Sequence, residues 1–310
     1  MASLPPNMPA PSGVYSILHS EVPSSQLAPI PKSLALFSMR NKTAIITGAG
    51  RGMGLEIAVA YAEAGAVVYC IDLAEKPSAD WERCQDWIER LPEQLSSETG
   101  DIGSKAKGSK GRLEYVQCDV TEHKASHALI DRIADTEDGI HVCVVCAAVL
   151  LGGGFLDCDE ENLETHMKVN LNGAVFTTQA AARQMVTRRI KGSILLISSI
   201  GGSVAIKTND VMAYSTSKAA LLQLSRSIAC ELGPKGIRCN TISPGVVLSH
   251  MTKDTFEEHP DVLATLCSQN PLGRIANLDE VRGAALFLGS DASSFCTGSN
   301  LILDGGHTAW

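Results

Sequence analysis

Thr47-Gly48-Ala49-Gly50-Arg51-Gly52-Met53-Gly54 is the stretch on which the reading of this chain turns. It follows a short β-rich apolar run, Thr43–Thr47, and opens an apolar-periodic stretch through Leu55, Ile57, Ala58, Ala60 and Tyr61 that ends near Gly65. A second apolar run, Val67–Ile71, predicts another strand, so the glycines sit at a strand-to-helix turn inside a βαβ unit. Glycine there lets the backbone approach a pyrophosphate, and the helix N-terminus offers free N–H groups and a positive dipole end. A glycine trio alone would fit any tight turn. In this context it predicts a dinucleotide site made by Gly48, Gly50, Arg51, Gly52, Met53 and Gly54.

Outward from that unit the alternation continues. Strands are predicted near Leu113–Gln117, Val142–Ala147, Ser193–Ser198, Ile237–Ile242 and Asn300–Leu303, with helices at about 122–136, 159–189, 212–232 and 278–288. Continuous apolar strands alternating with helices mean an α/β fold, a Rossmann-like, doubly wound parallel sheet covered on both faces. At 310 residues and 45% hydrophobic content the chain can bury one large core as a single domain. Residues 1–40, rich in X-Pro steps, read as an extended arm ahead of a catalytic domain at 41–310. The stretch 75–112 reads as an insertion, with a helix over Asp80–Leu95 and a polar surface loop over Ser96–Gly111.

Composition excludes several partners. The formal net charge is −8 and Lys/Arg are not blocked together, so no footprint for nucleic acid or an anionic membrane is present. No apolar stretch is long enough to span a bilayer, and the first 40 residues lack a signal-peptide core, which leaves the cytoplasm as the expected location. The ten cysteines are scattered through apolar runs and read as reduced, packed thiols. Cys143 and Cys146 form a CxxC, but an odd separation within a strand points them to opposite faces, so no metal site is expected.

Asp72, 18 residues after Gly54, ends the second strand, where a carboxylate can accept hydrogen bonds from both adenosine ribose hydroxyls, or merely cap a turn. Asp119, in Cys118-Asp119-Val120, either holds an adenine amino group or caps the helix that follows Thr121. Tyr214-Ser215-Thr216-Ser217-Lys218 opens a helix with Tyr and Lys at i and i+4, on one face. A phenol normally holds its proton with a pKa of about 10, and a nearby cation favours the phenolate, so Lys218 is expected to pull Tyr214 down.

Together with Asn170 in Val169-Asn170-Leu171-Asn172-Gly173, Ser199 closing Ile197-Ser198-Ser199, Pro244-Gly245 and the final Leu303-Asp304-Gly305-Gly306, these motifs resemble the short-chain dehydrogenase/reductase family from about Phe37 to the end. The resemblance implies interconversion of a secondary alcohol and a ketone with a nicotinamide cofactor; Asp72, set against Arg51 with neutral Leu73 next to it, makes NAD expected and NADP less so. It implies that Ser199 binds the substrate oxygen, Tyr214 exchanges a proton with it, Lys218 lowers the phenol pKa and binds the nicotinamide ribose, and Asn170 holds a relay water. Val120, Ala147, Pro244, Gly245, Val247 and Ser249 would complete the cofactor site. Taken singly, Ser199 also fits a turn serine, and Asn170 a buried amide tying two helices.

Two features depart from the family pattern. Val145-Cys146-Ala147-Ala148 stands in place of Asn-Asn-Ala-Gly, and the 75–112 insertion lengthens the second crossover. The Ser199 to Tyr214 spacing, the Pro-rich arm and the C-terminal tail are similar to fungal polyol dehydrogenases and ketose reductases. An apolar, terpenoid-like alcohol or ketone is the alternative substrate, and a nucleotide-binding sensor the non-enzyme alternative. The family also implies a homotetramer or homodimer formed through helices 159–189 and 212–232, with the C-terminal strand at another contact; Ala174, Ala180, Ala181, Ala219 and Ala220 would allow close helix approach, or simply face the sheet.

Overall fold

The computed structural model describes residues 33–91, 110–207, 210–248, 258 and 260–310. The arm before Ser33, most of the Ser96–Gly111 loop, and Thr208, Asn209 and Ser249 lie outside the described residues.

Seven parallel strands, β1 (Thr43–Thr47), β2 (Val67–Asp72), β3 (Arg112–Gln117), β4 (Val142–Val145), β5 (Ser193–Ile197), β6 (Arg238–Pro244) and β7 (Asn300–Leu303), form one sheet in the order β3-β2-β1-β4-β5-β6-β7. Every pairing is parallel. The order reverses between β1 and β4, and the crevice at the carboxyl ends of those strands is where such a sheet receives a ligand.

The strand period of two sorts side chains onto two cores. Ala44, Ile46, Val68, Cys70, Val144 and Leu195 pack with helix α1 (Gly52–Glu63) on one face, while Ile45, Ile71, Cys143, Val145, Ile194 and Leu196 pack on the other. Cys143 and Cys146 accordingly fall on opposite faces, Cys146 against the α1 side. Helix α1 is buried from Leu55 through Ala62 except for Glu56, because a later helix, α8 (Arg282–Gly289), covers its outer side. There the Tyr61 hydroxyl donates to Ala285 O at 2.8 Å, and Arg282 pairs with Glu56 at 2.7 Å.

The remaining helices are α2 (Ala79–Arg90), α3 (His123–Thr136), α4 (Glu160–His166), α5 (Gly173–Thr187), α6 (Met212–Leu232) and α7 (Pro260–Ser268). Four differ from expectation. Helix α2 stops at Arg90 instead of Leu95, since Leu91 precedes Pro92 and takes extended backbone. The single helix expected at 159–189 is interrupted between α4 and α5 by a π-helical turn, Met167–Asn172. The last predicted helix starts as a 3₁₀ turn, Leu278–Val281, closed by a capping box between Asn277 and Glu280. Helix α7 was not foreseen. Neither was the 3₁₀ turn Ser33–Phe37 inside the supposed arm; Met39, just beyond it, is already fully buried.

Ala174, Ala180 and Ala181 are buried against the sheet with Ile194 and Leu196. Of the two roles open to them, these three alanines take the sheet-facing one.

Candidate active site

The glycine loop needs its glycines for space as well as conformation. Gly48 has φ +67°, and a Cβ there would lie 2.7 Å from Ala147 Cα; a Cβ on Gly54 would lie 2.2 Å from Gly48 O. Arg51 occupies the N-cap position of α1 in extended backbone and its side chain makes no cap, which leaves the first N–H groups of the helix without one from that residue. Gly50 N donates to Asp72 Oδ2 at 2.8 Å, and Leu73 N to Oδ1 at 2.8 Å. The carboxylate is thereby fixed beside the loop. Ser78, which sequence reading missed, caps α2 and donates to Gly50 O at 3.0 Å. Arg51 is exposed.

Asp119 Oδ1 accepts the Thr121 N–H at 2.8 Å, and the N-cap position of α3 belongs to Glu122. Asp119 therefore caps a turn just ahead of the helix. Val120 lies against Gly173, whose added Cβ would meet Val120 Cγ2 at 2.8 Å. Met53, Pro244 and Val247, far apart in sequence, line one cleft with Leu278, Val281 and Leu303. Gly245 N donates to Leu303 O at 2.8 Å, which seats the Pro-Gly turn against β7. The cradle of glycine backbone, open helix terminus and fixed acidic group fits a dinucleotide.

After β4, where the family pattern has amides, Thr47 takes over part of the support. Its hydroxyl accepts N–H groups from both Cys146 and Ala147 at 3.3 Å. The Cys146 thiol is pushed up to about 11, mainly by burial, with nearby Lys218 opposing.

Asn170, Ser199, Tyr214 and Lys218 come together at the carboxyl edge of β4 and β5. Ser199 stands close enough to the Tyr214 hydroxyl to act on its proton, and its Oγ accepts the Gly201 N–H at 3.1 Å. Lys218 is 3% exposed, donates from Nζ to Ile197 O at 2.8 Å, and lies 5.6 Å from the Tyr214 ring centroid. Ser198 Oγ donates to Lys218 O at 2.8 Å, tying β5 to α6. Burial raises Tyr214 to about 12, against which Ser199 acts, and burial lowers Lys218 to about 8. The expected depression of the phenol by Lys218 is therefore not produced by the protein's own groups. Desolvation of the buried phenol is the largest cause of the rise.

The Asn170 carboxamide makes three hydrogen bonds. Its Oδ1 accepts Val149 N–H at 2.8 Å, and Nδ2 donates to Val149 O at 3.0 Å and to Ser217 Oγ at 2.9 Å. The side chain ties the β4 loop to α6, with one lone pair of Oδ1 left over. The π-helical turn around it widens the local carbonyl pattern. Ser217 was legible inside Tyr214–Lys218 as the i+3 residue. His166 and Asn162, which also reach this loop, carry no sequence motif.

Comparison with known proteins agrees with this geometry. The family model described as enoyl-(acyl carrier protein) reductase, of the short-chain alcohol dehydrogenase type, matches residues 48–308. A short-chain dehydrogenase/reductase of Aspergillus versicolor, notP′, is 32% identical over 302 residues, covering 96% of this chain and 97% of that protein. A solved short-chain type dehydrogenase/reductase from Mycobacterium marinum superposes with TM-score 0.78 at 32% identity, over 90% of this chain and all of that one. A gluconate 5-dehydrogenase from Burkholderia cenocepacia, in complex with NADP and tartrate, gives TM-score 0.77 at 28% identity, over 90% of this chain and 100% of that one. The chain belongs to the short-chain dehydrogenase/reductase family. It is an NAD(P)-dependent oxidoreductase acting on CH–OH groups.

Proposed function

We propose that Ser199, Tyr214 and Lys218 carry the reaction, and that the substrate is a secondary alcohol or ketone whose body is largely apolar. The observation that supports it most directly is buried Lys218 lying 5.6 Å from the Tyr214 ring centroid, with buried Ser199 beside the same phenol. At neutral pH Tyr214 holds its proton, which suits the reducing direction: the phenol donates to the oxygen of the carbonyl as it becomes an alkoxide, and Ser199 Oγ steadies the same oxygen. Lys218, charged at neutral pH, stabilises the resulting phenolate electrostatically. The glycine loop and Pro244-Gly245 would hold the dinucleotide, which would supply or accept the hydride.

The substrate class rests on the loop after β4. Leu150 and Leu151 are partly exposed, and Phe155 and Leu156 are 75% and 92% exposed. Val204, between Ser199 and Tyr214, is also exposed. Such an apolar group beside a catalytic site favours a ligand with apolar surface. A polyol or ketose remains the second reading, favoured by exposed Lys207 and Asp210 and by the likeness to a gluconate dehydrogenase.

For the cofactor, Asp72 beside Gly50 favours NAD, because its carboxylate offers acceptors to ribose hydroxyls and repels a 2′-phosphate. Exposed Arg51 pulls the other way, as does the NADP held by the Burkholderia cenocepacia protein. The test is nicotinamide absorbance during incubation with NAD or NADP, oxidised or reduced, and a panel of terpenoid alcohols and ketones, polyols and ketoses. Turnover of polyols alone would replace the apolar reading with the second one.

A further inference from the structure

His166 has no part in the chemistry above, yet it lies at the meeting point of the site's elements. It is fully buried at the end of α4, with its ring centroid 6.3 Å from that of Tyr214 at an interplanar angle of 73°. Its Nε2 accepts the Leu151 N–H at 3.1 Å, and its Nδ1 lies 2.8 Å from Asn162 O, so these partners select the neutral tautomer with the proton on Nδ1. Asn162, one turn earlier on α4, donates from Nδ2 to Gly152 O at 2.9 Å. Asn170, four positions later, holds both N–H and C=O of Val149. Gly153 N donates to Asp210 O at 3.0 Å, and Gly153 bridges to Val211 in parallel fashion.

Val149–Gly153 thus has no helix or strand ladder of its own, and its backbone is held at Val149, Leu151 and Gly152 by three side chains from one helical segment. A five-residue strip pinned in this way is ordered before any substrate arrives. That order reduces the entropy that binding must otherwise remove.

We propose that His166 is a positioning residue for substrate. It fixes the strip at Leu151 and buttresses the Tyr214 ring edge-on, so that the phenol and the wall carrying Leu150 and Leu151 keep one separation. With both ring nitrogens committed, it acts through these two contacts and exchanges no proton with substrate. The proposal rests on the reading of Tyr214 as the acid–base group.

The test compares His166→Leu, which keeps bulk but has no acceptor, with His166→Gln, whose Oε1 can replace Nε2. Hydrogen exchange by mass spectrometry is read in the peptide spanning 149–153, and kcat, KM and cofactor Kd are read with whichever panel compound the wild type turns over fastest. Losing the bond to Leu151 N–H, together with that to Asn162 O and the ring contact, predicts about tenfold faster exchange and about tenfold higher KM in His166→Leu. Cofactor Kd should stay unchanged, and His166→Gln should recover most of both effects. Unchanged exchange in His166→Leu would overturn the proposal. So would a parallel loss of kcat, cofactor affinity and thermal stability that His166→Gln does not relieve, since that pattern belongs to general packing. Wild type inactive on every panel compound would instead count against the proposed function, while the exchange comparison still decides whether His166 holds the strip.

Discussion

The Lys218 ammonium lies 5.6 Å from the centroid of the Tyr214 ring while its Nζ donates to Ile197 O at 2.8 Å. A buried cation next to a buried phenol leaves a signature in stability. Burial lowers Lys218 from 10.5 to about 8, so between those values the unfolded chain still binds a proton that the folded chain has released. Stability from this group therefore rises with pH through that window, as the cost of burying the charge is relieved. Buried thiols such as Cys70 have raised pKa values and act in the opposite sense, so the informative quantity is wild type minus Lys218→Met. Urea denaturation at several pH values should show that difference growing by roughly 2–3 kcal/mol between about pH 8 and pH 10. Parallel profiles would mean that Lys218 is not charged and buried at neutral pH.

Asp72 should set cofactor choice. Its contact with Gly50 N places a carboxylate at the loop, and the expected NAD preference is about tenfold or more in kcat/KM, or at least roughly 1.4 kcal/mol. Asp72→Ser should narrow or reverse the ratio. A wild-type enzyme faster with NADP at limiting concentration would show that Arg51 outweighs Asp72.

Gly54→Ala should be severe despite adding a single methyl group. Its Cβ would fall 2.2 Å from Gly48 O, so the loop must shift. The expected outcome is a stability loss of about 1–3 kcal/mol with a cofactor Kd raised about tenfold or more. Denaturation curves and fluorescence titration of cofactor check both, and an unaltered Kd would remove this loop from the cofactor site.

Assembly should involve the β7 edge. Ile302 and Trp310 are substantially exposed and Phe295 fully so, next to the last strand of the sheet. Open strand edges with apolar neighbours invite pairing, so light scattering should report a dimer or tetramer. A monomer at micromolar concentration would contradict this.

Much of the site was legible because its cues are local. The glycine loop lies between two runs of unmistakable strand character, and Tyr214 and Lys218 meet through helix periodicity alone. What stayed hidden depends on distant partners. The π-helical turn at Met167–Asn172 accompanies bonds from Asn170 to Val149, 21 residues away, and to Ser217, 47 away. His166 shows no motif, since its role comes from a loop backbone. The direction of the Tyr214 shift also escaped the sequence: a Tyr and a Lys on one helix face suggest attraction, but only the fold reveals that both are desolvated. Helix α1, buried nearly all round, has lost the one-sided pattern that marks a surface helix, because α8 covers what would be its solvent face.

The central claim is that Tyr214 transfers the proton in an alcohol–ketone interconversion, and Tyr214→Phe tests it most directly. Phenylalanine keeps the ring that His166 and Lys218 approach and removes only the hydroxyl. Steady-state turnover, followed by nicotinamide absorbance alongside a cofactor titration, should fall by about 10² to 10⁴ while cofactor Kd stays within about twofold. A variant that retains more than about a tenth of wild-type turnover would show that another group moves the proton.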